Sequence, residues 1–167
     1  MSNERTLLEQ YVRAGKLMQL ASLTRDGSPV LCNVWYDAHF APDVLRFISR
    51  HDRQHSQNIR LDGRVAGSVI AIPLDGLGQT ARGVTFTGVA HELPTCGVEK
   101  EVTAFLARWP QAEKALNPEK LTKEETSNRL YEFAVTEWVL FDESNFPEQP
   151  RRVIKAVRLD SLRQKER

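Results

Sequence analysis

From Glu4 to Gly15 the apolar positions Leu7, Leu8, Tyr11 and Val12 recur at helical spacing, and Gly15 supplies the stop, so the spacing predicts a helix. From Lys16 onward the texture changes to short apolar runs separated by turn residues. "LMQLASLT" reads as a strand and "RDGSP" as a turn, with Asp26-Gly27 inside it and Pro29 just beyond. "VLCNVWY" is the paired strand. A looser turn, "DAHFAPD", leads to a third strand, "VLRFIS". Three strands with short connections form a meander, so the sheet begins antiparallel.

The next stretch, "DRQHSQNIR", has few apolar positions and reads as a short helix with Asp52 as its N-cap. "RVAGSVIAI" is the fourth strand; its interior Gly67 marks a bulge or a close approach by another group. After the loop "PLDGLGQTAR", the fifth strand "GVTFTGVAHEL" sets Thr85 and Thr87 on one face and Val84 and Phe86 on the other. Beyond Pro94, "GVEKEVTAFLARWP" is an amphipathic helix with Val98, Val102, Phe105, Leu106 and Trp109 near one face. "QAEKALNPEKLTKEETSN" is charged, interrupted by Pro118 and helical in part. "RLYEFAVTEWVLFD" is the last long strand, and "RVIKAV" a short possible strand in an irregular tail. Six short strands in meander order with frequent turns predict a closed or nearly closed barrel, which removes exposed sheet edges.

Composition narrows the picture. The 167 residues fit one domain, and 41% are hydrophobic, which is ordinary for a globular core. Lys plus Arg number 23 against 22 Asp plus Glu, a net charge of +1. That balance argues against a general nucleic-acid binder but leaves room for a local basic pocket. Cys32 and Cys96 form neither a disulfide framework nor a zinc signature, so no metal site is expected, and Cys32 reads as a small buried hydrophobe. No segment approaches the roughly 20 apolar residues that span a membrane, and the N-terminus has no signal-like run, so a cytoplasmic protein is expected.

"HDRQHSQNI" is the stretch that carries candidate chemistry. A helix that starts just after a strand presents free backbone N–H groups and a positive dipole end, a ready anion site. Ser49, Arg50, Arg53 and His55 add a hydroxyl and cationic donors around the same point. The competing explanation is a solvated turn capped by Asp52, whose carboxylate would repel a phosphate unless it points away. On the second strand Asn33 and Trp35 share a face, and backbone groups near Asn33, Val34 and Trp35 suit the polar edge of a flat heteroaromatic ligand. Trp35 is equally a core or interface aromatic, and for Thr85 and Thr87 ordinary β-propensity is the stronger reading.

The order of these elements resembles the FMN-binding split barrels related to pyridoxamine 5'-phosphate oxidase. The likeness runs from about Lys16 to Asp142 and rests on "LASLTRDGSPVLCNVWYD", "LRFISRHDRQHSQNIRLDGRVAGSVI" and "RGVTFTGVAHEL". The segment "RQHSQN" with "VAGSV" is most like a bacterial branch with a histidine early in the helix. The resemblance implies a mainly β fold, a six-stranded antiparallel split β-barrel, over residues 1–167. Its parts would be an N-terminal helix (1–15), a barrel core (16–142) with a helical insertion (96–127) and a C-terminal tail (143–167). It implies a homodimer with FMN at the interface. The phosphate would lie near Ser49, Arg50, Arg53, Gln54 and His55, and the isoalloxazine along Asn33, Val34 and Trp35. Arg82 or Trp138 of the second copy would complete the pocket. Many members carry an Arg-Lys pair where this chain has Gln54 and His55, which predicts weaker phosphate binding. The arginine-bearing C-terminal signature of true pyridoxamine phosphate oxidases is not evident in "FPEQPRRVIKAVRLD".

The implied activity is electron transfer between a reduced nicotinamide and a small-molecule acceptor, with FMN carrying the redox chemistry. No Ser-His-Asp or Cys-His pattern asks for covalent catalysis. His39 and His91 are candidate proton donors and more readily structural. The alternatives are the deazaflavin F420, a haem with His39, His51, His55 or His91 as axial ligand, and a non-catalytic or ligand-free dimeric scaffold.

Overall fold

A computed structural model describes residues 3–73 and 75–158. Helix α1 (Asn3–Ala14) buries Leu8 and Val12, and the Gly15 N–H donates to the Tyr11 carbonyl to end it. Then come β1 (Leu17–Leu23), β2 (Pro29–His39), β3 (Val44–Arg50), α2 (Gln54–Leu61), β4 (Arg64–Ile70) and β5 (Arg82–Glu92). Helix α3 (Glu99–Arg108), a 3-10 turn (Pro110–Lys114) and helix α4 (Pro118–Thr122) form the insertion. Strands β6 (Asn128–Asp142) and β7 (Arg151–Lys155) come last among the described residues. The last residues of the expected tail, 159–167, lie outside the described residues.

All pairings are antiparallel, in the order β3-β2-β1-β4-β5-β6-β7, and a β3–β6 ladder closes six strands into a barrel. Strand β6 makes closure possible because it is fifteen residues long. Its first half pairs with β3 (Arg50↔Asn128 to Val44↔Ala134) and its second half with β7 (Glu137↔Lys155 to Phe141↔Arg151). Its other edge follows β5 from Tyr131 to Asp142, with a register shift between Thr87 and Gly88. A Cβ at Gly88 would stand 2.1 Å from the Ala134 carbonyl oxygen, so the two strands approach there as only glycine allows.

Inward residues alternate as the strand period requires. Met18, Leu20, Val34, Tyr36, Leu45, Phe47, Val69, Val84, Phe86, Tyr131, Phe133, Trp138 and Leu140 fill the core. Phe86 stands edge-on to Phe133 and Trp138 at 5.3 and 5.2 Å. Gly67 is a close-approach position, because a Cβ there would meet the Phe86 ring. Cys32 is half-buried against the core, and burial pushes its thiol pKa up. A second core of Val98, Val102, Phe105, Leu116, Leu121 and Leu130, with Ile48, packs the insertion onto the outside of β3 and β6.

Two expectations need correction. β2 runs on through Asp37 and Ala38 to His39, which shortens the looser turn. The cap of α2 is Arg53, with no side-chain cap hydrogen bond, and not Asp52. The Asp52 carboxylate instead accepts from Arg50 Nε and Nη2 at 3.1 and 2.7 Å.

The β2–β3 turn is clamped by a buried carboxylate. Asp43 accepts two bonds from the Arg5 guanidinium (2.7 and 2.6 Å), one from the Trp138 indole N–H (2.7 Å) and one from the Val157 N–H (3.0 Å). Burial pushes its pKa up, but the Arg5 and Trp138 bonds outweigh that and hold it below the ordinary aspartate value. Asp43→Ala should therefore cost about 3–5 kcal/mol in urea denaturation at neutral pH, since it strands the buried groups that faced the carboxylate. The folded pKa is the lower one, so Asp43 contributes fully above about pH 4. That contribution is lost as acid carries the pH down through the folded value. Wild type and variant should converge in stability in that acid range; a gap that stays constant down to pH 2 would show that the charge is not what matters.

Candidate functional site

The site begins where β2 and β3 separate. Their ladder runs from His39↔Val44 to Tyr36↔Phe47 and ends there among the described residues. Continued in register it would set Val34 opposite Ser49. Instead β2 follows β1 (Leu17↔Trp35 to Leu23↔Pro29), while β3 follows β6 out to Arg50↔Asn128. The gap is a cavity of about 640 Å³ lined by Lys16, Asn33, Val34, Trp35, Ile48, Ser49, Arg53, His55, Phe105, Trp109, Gln111 and Ala112. That volume lies in the range of small-molecule and cofactor sites. The facing edges of β2 and β3 here lack each other as ladder partners, so their peptide groups are placed to meet a ligand's polar rim.

One end is polar. Ser49 Oγ lies 2.7 Å from His55 Nε2, with Arg53 and the first turn of α2 beside them. Burial, then the neighbouring Arg53 charge, lower the His55 pKa from its ordinary value. Helix α2 is fixed by its polar residues. Ser56 Oγ donates to the Arg50 carbonyl (2.8 Å), and buried Asn58 donates to Ser22 Oγ on β1 (3.1 Å). Arg60 pairs with Glu92 (2.8 Å) and donates to the His51 carbonyl (2.6 Å). Tyr131 donates to the same Glu92 (2.8 Å); burial raises this phenol to about 12, so it stays a donor. The Ser49–His55 contact has the reach of a nucleophile–base pair. No carboxylate hydrogen-bonds His55 among the described residues, and the hydroxyl, imidazole and Arg53 guanidinium gathered here suit an anion.

The opposite wall is aromatic and comes from the insertion. Trp109 donates its indole N–H to the Tyr36 carbonyl (2.8 Å) and meets Trp35 edge-on at 5.0 Å. Arg108 anchors the same corner by donating to the Arg13 and Gly15 carbonyls at the end of α1. Trp35 remains 51% exposed, large for a tryptophan outside a binding surface. The lining contains lysine, arginine and histidine but no carboxylate, so the cavity favours an anionic ligand although the chain is nearly neutral.

Of the residues nominated from sequence, Asn33, Val34, Trp35, Ser49, Arg53 and His55 come together here. Arg50 and Gln54 flank the polar end without lining it. Arg50 spends its guanidinium on Asp52, which also neutralises the carboxylate that stood against an anion site. Trp138 corrects an expectation: it is fully buried at the centre of its own barrel and bonded to Asp43, where no second copy can reach it. Arg82 opens β5 opposite Asp142, outside the cavity lining. Lys16, Ile48, Phe105, Trp109, Gln111 and Ala112 were not foreseen. The apolar face of the insertion helix was visible, but not what it covers.

No family model matches the sequence, and no curated protein matches it. Solved structures match the fold. A haem-binding protein from Mycobacterium smegmatis superposes with a TM-score of 0.74 at 14% identity, over 93% of this chain and 59% of that one. The chain thus spans about three-fifths of that protein's length. An FAD-binding protein from Mesorhizobium loti gives 0.62 at 18% identity, over 83% and 92% of the two chains. HutZ, the haem storage protein of Vibrio cholerae, gives 0.58 at 15%, over 80% and 91%. The fold is thus a split barrel, an architecture shared by flavin-binding and haem-binding proteins. Among the described residues no helix is long and apolar enough to cross a membrane.

The half-buried His55 predicts a pH linkage. An anion beside it raises its pKa, so binding takes up a proton, and affinity rises as the pH falls through the window between the bound and free values. The affinity ratio of wild type to His55→Gln for an anionic ligand should therefore grow from pH 8 to pH 6. Dividing by the variant removes the ligand's own titration. A ratio independent of pH would remove His55 from the anion site.

Proposed function

We propose that this cavity binds FMN and that the protein is an FMN-dependent oxidoreductase passing electrons between a reduced nicotinamide and a small-molecule acceptor. The observation that carries this is the cavity itself: an apolar, aromatic slot between two parted strand edges, ending at Ser49, Arg53 and His55 on a helix start. A flat ring system suits the slot, strand peptides suit its polar rim, and a phosphate suits the end. When bound, the flavin supplies the redox chemistry; the chain supplies placement and charge.

Two features favour FMN over the other cofactors that related folds hold. His55 is the one imidazole in the lining, and its Nε2 is already engaged by Ser49, an arrangement made for oxygen rather than for iron. Arg53 is the one fixed cation at the polar end, which matches a single phosphate better than the diphosphate of FAD.

We also propose that two copies associate through the outer face of the sheet. The ladders align Asn33, Gln19, Ser68, Thr85, Val139 and Val153 in one row across six strands, and Leu31, Ala21, Ala66 and Thr87 in the next. Leu17, Leu31, Trp35, Val89 and Val153 are all exposed. This face of uncharged side chains, with Leu17, Leu31, Trp35 and Val153 exposed on it, begins at the cavity rim with Asn33 and Trp35, so a second copy seated on it would cover the open side of the slot.

FMN should bind saturably with quenched flavin fluorescence. Arg53→Ala should weaken FMN about 10- to 100-fold, the worth of one charge-assisted bond, and leave riboflavin nearly unchanged. Equal losses for both ligands would place the phosphate elsewhere, and binding of haem or F420 in place of FMN would reassign the slot. In sedimentation, the wild type should be a dimer and Leu31→Asp with Val139→Asp a monomer of weaker FMN affinity. A folded monomeric wild type would overturn the dimer.

A further inference from the structure

We infer that Lys16 is a specificity-determining residue of this cavity that favours the reduced, anionic form of the flavin over the oxidised, neutral one. The inference rests on the FMN-binding proposal and concerns the end of the slot away from the phosphate.

Lys16 ends the link between α1 and β1 and lines the cavity, yet it has no ion-pair or hydrogen-bond partner among the described residues. Apart from Arg53 at the phosphate end, the arginines around the site are committed. Arg50 holds Asp52, Arg60 holds Glu92, and Arg108 holds the last carbonyls of α1. Register locates Lys16. The pair Leu17↔Trp35 places it level with Tyr36, whereas Ser49 falls level with Val34 on the other flank of β2. The two poles are thus separated by two residues along the strand, about 7 Å, and by the width of the split across it. A ligand that extends from the Ser49–His55 end along Val34 and Trp35 arrives at Lys16 with its other end. For FMN anchored by its phosphate, that end is the ring.

The charge there matters because of what reduction does. Two electrons and one proton added to the neutral ring leave it with one negative charge. A nearby ammonium stabilises that form and hardly affects the neutral one. Arg108 reinforces the effect: its guanidinium lies 5.2 Å from the Trp109 ring centroid and 5.5 Å from that of Tyr36, at the same corner. No carboxylate lines the cavity to offset either cation. Lys16 itself is exposed, so solvent screens it and the effect is moderate.

The test measures the FMN midpoint potential of the wild type, Lys16→Gln and Lys16→Arg by equilibrium reduction with dithionite against a reference dye, alongside the affinity for oxidised FMN. Lys16→Gln should lose about tenfold more affinity for reduced FMN than for oxidised FMN. For a two-electron couple that lowers the potential by about 30 mV. Lys16→Arg should restore it. An unchanged potential in Lys16→Gln, with oxidised FMN still bound, would overturn the role of Lys16 alone. A wild type that binds no oxidised FMN would overturn the cofactor proposal, and this inference with it.

Discussion

The parting of β2 from β3 is the constraint on which the rest of this structure depends. The two strands form a hairpin that is zipped at its turn and open at its far end. At the turn, Asp43 draws in Arg5 from the first helix, Trp138 from the barrel centre and Val157 from the last segment, so that end cannot splay. At the far end each strand continues with a different partner, β2 with β1 and β3 with β6. A barrel closed by a continuous β2–β3 ladder would have no slot. One with an unclamped turn would lose the register that aligns Asn33 to Trp35 with Ile48 and Ser49.

The polar end of the slot is built by the same economy. Helix α2 is short and polar, and it is not held by an apolar stripe alone. Ser56, Asn58 and Arg60 bind it to Arg50, Ser22 and Glu92, on three different elements. Two neighbouring positions, Arg53 and His55, are left facing the cavity. Alternation along the helix start thus separates residues that fix the helix from residues that face the cavity. Asp52, which in the linear sequence argues against an anion site, is neutralised by Arg50 and does not line the cavity.

The insertion shows how a wall can be added to a barrel without disturbing it. Its own small core lies over Ile48 and Leu130 on the outside of β3 and β6. From that base it projects Phe105, Trp109, Gln111 and Ala112 to the cavity, and the Trp109–Tyr36 bond locks the wall to β2. Slot and wall are therefore separate in sequence but joined by an indole hydrogen bond, an edge-on tryptophan pair and the packing on Ile48.

Much of the architecture was legible in the chain. Alternation of apolar and polar residues located the strands, because side chains on a pleated strand point to opposite faces by necessity. Asp26-Gly27 marked the first hairpin, and Gly27 indeed has a φ of 84°. The polar run 51–59 between two strands marked the helix start, since unpaired N–H groups must lie there whatever the tertiary fold. Those are local rules, and they sufficed to nominate Asn33, Val34, Trp35, Ser49, Arg53 and His55. What local rules cannot reach is which groups cancel one another and which meet across long stretches of chain. Whether Arg50 and Asp52 would pair, whether Trp138 would face a neighbour or the core, and whether Lys16 and Trp109 would line one cavity were decided by packing. Each depends on the barrel's register and on a helix inserted some ninety residues from Lys16. Sequence determined the elements and the polar end of the slot; tertiary structure decided its walls, its second cation and which charges remain free to act.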